Sequence, residues 1–93
     1  MDFVLQGFNQ VVGLRVFAFE GIGANHQRTP FTVSADLSLA LRYGIRLQEL
    51  PLLCRGVLER RHDGGKAREF AYTEDEMRTY AGNVAAQREA ARQ

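Results

Sequence analysis

At 93 residues the chain is one domain by length, and a domain this small hides only about 60–65% of the surface its unfolded chain would expose. With 45% hydrophobic and 25% charged residues it is neither disordered nor fibrous, and a formal charge of +1 supplies no general pull toward nucleic acid or anionic membrane. The single cysteine, Cys54, excludes an internal disulfide and a cysteine-built metal cluster, and it suits a reducing, cytoplasmic setting.

The N-terminal segment starts with an acid, Asp2, and its apolar run is broken by Gln6, Asn9 and Gln10, which is not the pattern of a signal peptide. No stretch approaches the roughly 20 apolar residues of a membrane span. Residues 3–8 read as a first strand, with Phe3 and Leu5 alternating against Val4, Gln6 and Phe8. Residues 9–13 read as a turn. Residues 14–20 read as a second strand, placing Leu14, Val16 and Ala18 on one face and Arg15, Phe17 and Phe19 on the other. A polar loop, Gly21–Arg28, leads to a third strand marked by Phe31 and Val33, with Pro30 near its start.

The period then changes. Ser34 or Asp36 can cap a helix whose apolar positions are Leu37, Ala40 and Leu41, and Gly44 followed by Ile45 fits its end. A second helix is predicted over 48–61, with Pro51 in its first turn and Leu50, Leu53, Cys54, Val57 and Leu58 as its stripe. Asp63-Gly64-Gly65 stops it. Arg68, Phe70 and Tyr72 alternate as a fourth strand. Thr73 and Glu76 form a capping box before Met77, Tyr80, Ala81, Val84 and Ala85, with three acids at the helix start and Arg88 and Arg92 near its end. The tail from about residue 86 is expected to fray. The fold class is therefore α+β, one domain over residues 1–93 in the order β-β-β-α-α-β-α, an antiparallel sheet packed by helices.

Chemistry-bearing residues are sparse. His26 and His62 are far apart and read as solvated loop residues, so neither builds a metal site. Cys54 lies among leucines, a setting that shields a thiol and does not activate it. Gly21-Ile22-Gly23 lacks the third glycine and following helix of a dinucleotide loop, and Asp63-Gly64-Gly65-Lys66 precedes a strand where a phosphate loop precedes a helix. The acids at 74–76 match a helix start. With no nucleophile, base or cofactor loop in view, no catalytic, cofactor or metal residue is assigned, and the chain is read as a non-enzyme.

Two binding readings follow. Both faces of the second strand are apolar and the second helix carries more leucine than one stripe needs. This points to a non-catalytic protein-interaction module that self-associates as a homodimer through Phe17, Phe19 and Leu52. The alternative is a nucleic-acid-binding domain. It would use a helix-turn-helix-like segment over 37–60 and the basic stretch 55–68, with Arg55, Arg60, Arg61, Lys66 and Arg68 as contacts. Against it, the first turns of the supposed recognition helix, Gln48–Leu53, are mostly apolar.

Overall fold

A computed structural model describes residues 1–91. The order is the expected one: β1 (Asp2–Val11), β2 (Leu14–Ile22), β3 (Arg28–Asp36), α1 (Leu37–Arg42), α2 (Leu50–Arg61), β4 (Glu69–Tyr72) and α3 (Glu74–Ala91), with one 3₁₀ turn, Leu47–Glu49, before α2. The strands form one sheet in the spatial order β1-β2-β3-β4. It is mixed, not wholly antiparallel. The first three strands are an antiparallel meander, whereas β4 joins β3 in parallel because the helical segment between them carries the chain back to the sheet's starting end.

The β1–β2 turn is only Val12-Gly13, so β1 runs on to Val11 through residues expected to be turn. Both turn residues have positive φ, 36° and 80°, the conformation that lets a two-residue hairpin follow the strands' twist. A bulge lies between Leu5 and Gly7. It shifts the alternation by one, so Phe8 sits opposite Phe17 on the same face as Leu5 opposite Phe19, and not on the other face as strict alternation requires. Pro30 lies inside β3 but before its pairing with β4 begins at Thr32, so its missing N–H leaves no gap in that ladder.

The helix ends follow local chemistry. Asp36 accepts from the backbone N–H of Leu39 at 3.1 Å to start α1. Gly44 ends it at φ 73°, with Gly44 N donating to Leu41 O and Ile45 N to Ala40 O, and Ile45 is buried beneath the turn. Pro51 lies in the first turn of α2. α3 continues to Ala91 through the stretch expected to fray, exposed from Ala85 onward, and Arg92 lies outside the described residues.

α2 packs against all four strands and covers one face of the sheet. There Phe3, Phe17, Phe19, Phe31, Val33, Ala35 and Tyr72 meet Leu50, Cys54, Val57 and Leu58, with Ala40, Ile45 and Met77 closing the edge. Fully burying each large side chain is worth about 1.5–3 kcal/mol, so this single layer supplies most of the stability. Gly21 is required in it: a Cβ there would stand 2.6 Å from the Phe31 ring.

Candidate interaction surface

The covered face decides which apolar residues are free. Phe17 and Phe19 are 1% and 2% exposed, sealed by the chain's own helix, so they are core and not a surface for self-association. The face of β2 that lacks cover carries Leu14, Val16 and Ala18. With Val4, Val11 and Ile22 they form a sheet surface over which no described element packs. A shallow depression on it is lined by Gly7, Asn9, Val16, Ala18 and Thr32. Leu52 does lie at the surface, 70% exposed on α2, beside a groove it shares with Phe3, Leu5 and Pro51.

The exposed apolar residues gather on β1: Val4, Leu5, Phe8 and Val11 are all at least two-fifths exposed, flanked by Met1 and Val12. β1 is an edge strand of ten residues whose only charge is Asp2. The opposite edge is managed differently. β4 has four residues, and the Arg61 guanidinium donates to its Ala71 carbonyl at 2.8 Å. Short strands and charged side chains are the usual protection of a sheet edge, whereas β1 is ten residues long with a single charge at its start.

The basic segment is spread and largely engaged. Arg60 and Arg61 reach Glu76 at 2.9 and 3.4 Å, and Arg55 pairs with Glu59 at 3.5 Å. Arg68 lies over the Phe31 ring and donates to the Gly65 carbonyl, leaving Lys66 on the loop. The helix-turn-helix resemblance also fails in packing. Leu50 and Cys54, in the first turns of the supposed recognition helix, are fully buried against the sheet.

His26 is exposed at φ 58°. His62 is not a solvated loop residue: it caps the end of α2 and packs edge-on to Phe31 and Phe3, at 4.9 and 5.8 Å between ring centres. Burial pushes the Cys54 thiol up to about 12, and the nearby Glu76 carboxylate adds to it. Burial also raises the Tyr72 phenol to about 12. A groove of about 370 Å³ between α2 and α3 is lined by Leu53, Tyr72, Thr79 and Tyr80, with Arg60 and Glu76 at its polar side already bonded to each other. No cluster of three metal-ligating side chains occurs among the described residues, and no helix there is long and apolar enough to cross a membrane. In comparison with known proteins, the chain matches no family model, and no curated protein or solved structure matches it.

Proposed function

We propose that the chain is a non-catalytic protein-interaction module that self-associates. The observation that supports this reading is the concentration of exposed apolar side chains on the edge strand β1, with Val4, Val11 and Leu14 on the sheet face that no described helix covers. Large apolar side chains gathered at the surface of a small domain mark an interaction site. Leu52 remains in the proposed surface, while Phe17 and Phe19 leave it. The reading includes a cytoplasmic location, which the unpaired, buried thiol of Cys54 suits.

Sedimentation velocity and light scattering from about 1 to 100 µM test it, the range in which a modest domain interface saturates. A mass that rises to that of two chains supports the module. A single-chain mass throughout counts against self-association.

A further inference from the structure

We infer that two copies join edge to edge through β1, antiparallel about a two-fold axis, to make one continuous eight-stranded sheet. This rests on the proposed self-association and specifies its geometry.

The argument begins with the direction of the backbone groups. Along an antiparallel strand, alternate residues exchange both hydrogen bonds with the neighbour, and those between them point N–H and C=O away. A two-residue hairpin turn makes the flanking pair, Val11 and Leu14, a bonded one. Counting back along the register, Asn9 and Gly7 also face β2, while Gln10 and Phe8 direct their backbone groups outward. The bulge at Gln6 then changes the parity. Beyond it Val4 and Asp2 face β2, and Leu5 and Phe3 point outward.

The change of parity makes the strand complementary to itself. Two β1 strands aligned antiparallel over their whole length set Asp2 against the partner's Val11. In that alignment Leu5 falls opposite the partner's Phe8, and Phe3 opposite the partner's Gln10. Every one of these four is an outward-pointing residue. A regular strand of ten residues would, in the same alignment, oppose outward groups to inward ones. The bulge, which often serves to break edge pairing, here stands at the middle of the strand and restores the phase.

The side chains agree with the backbone. The alignment covers Leu5 and Phe8, left 41% and 54% exposed in the single chain. It makes two apolar cross-strand pairs on the face that bears the core. No like charges oppose each other, since Asp2 is the only charge on β1. Leu52 lines the groove beside Phe3 and Leu5, on the side the second copy would occupy. An unrelated strand could satisfy the backbone groups; a second copy supplies in addition this matched set of phase and side chains.

Disulfide trapping tests the register. Leu5→Cys and Phe8→Cys proteins are prepared separately and oxidised alone and as a mixture, with buried Cys54 as an inert background. The expected result is a cross-linked dimer from the mixture and little from either protein alone. A Leu5→Lys/Phe8→Lys variant, checked for folding by circular dichroism, should dimerise about 30-fold or more weakly, as for loss of central interface contacts. Val16→Lys, on the open face, should dimerise like the parent protein. Dimerisation that survives the β1 lysines and is lost in Val16→Lys would overturn edge pairing while leaving self-association intact. Cross-linking as strong within either single-cysteine protein as in the mixture would overturn the register. A parent protein that stays monomeric to about 100 µM would overturn both the pairing and the reading beneath it.

Discussion

Thr73 and Glu76 cap α3 reciprocally: the Thr73 backbone N–H donates to Glu76 Oε1 at 3.1 Å, and Glu76 N donates to Thr73 Oγ1 at 3.2 Å. Because Arg60 and Arg61 of α2 reach the same carboxylate, the cap also fastens α3 to α2. Thr73→Ala removes the acceptor for the Glu76 N–H and should destabilise the fold by about 1 kcal/mol. Denaturant midpoints measured at fixed protein concentration check it, and an unchanged midpoint would show that the cap carries no stability.

The same carboxylate gives a pH dependence. Burial alone would raise the Glu76 carboxyl, but the Thr73 N–H, the Arg60 guanidinium and the Thr73 hydroxyl outweigh it and hold the group below its ordinary 4.5. A group with a lowered folded value binds its proton less readily folded than unfolded. Its contribution is therefore present above 4.5 and is lost as pH falls through the folded value. Thermal midpoints of the parent and Glu76→Gln should differ at pH 7 and converge in acid. A constant difference down to the acid limit would assign the effect to packing.

Val12 is 98% exposed and held at φ 36°, a conformation that a β-branched residue adopts at a cost. Asparagine before glycine is the preferred pair for this turn. Val12→Asn should stabilise the domain by about 1 kcal/mol, the lower end of such backbone strain. The readout is the thermal midpoint at equal protein concentration, and a lowered midpoint would show that Val12 makes a contact of its own.

The basic segment should not read nucleic acid. Phosphate contacts release counterions, so any genuine complex weakens steeply with salt. We expect no sequence-selective binding to duplex DNA or RNA in fluorescence anisotropy at about 0.15 M salt, near physiological strength. A salt-sensitive, selective complex that disappears when Arg60, Arg61 and Lys66 become alanine would restore the nucleic-acid reading.

The helix boundaries were legible because their signals are local. Gly44 with Ile45, Pro51, and Thr73 with Glu76 each sit within one turn of the feature they define. The facing of β1 was not, because the bulge at Gln6 is a property of how two strands align. Nor was the covered side of β2, since both of its faces are apolar. Size held a clue: Phe17 and Phe19 fill the layer beneath a helix, while Leu14, Val16 and Ala18 leave a flatter surface. The surroundings of His62 come from Phe3 and Phe31, distant in sequence, so a loop-like context concealed a packed ring. For the same reason the unprotected edge emerged only once the strand order was known.

The parallel seam between β3 and β4 bears on how the molecule forms and opens. β1, β2 and β3 pair through tight connections, whereas β4 reaches β3 only after residues 37–68 have been laid down. Closing that longer loop costs more chain entropy, and non-local pairing comes late. The meander is thus expected to form first. α2, β4 and α3 form the later half, fastened to one another by the α2 arginines that reach Glu76 and the Ala71 carbonyl. The amide hydrogens of β4, at the edge of the sheet, are therefore expected to exchange with solvent faster than those at the centre of β2, as native-state hydrogen exchange would show.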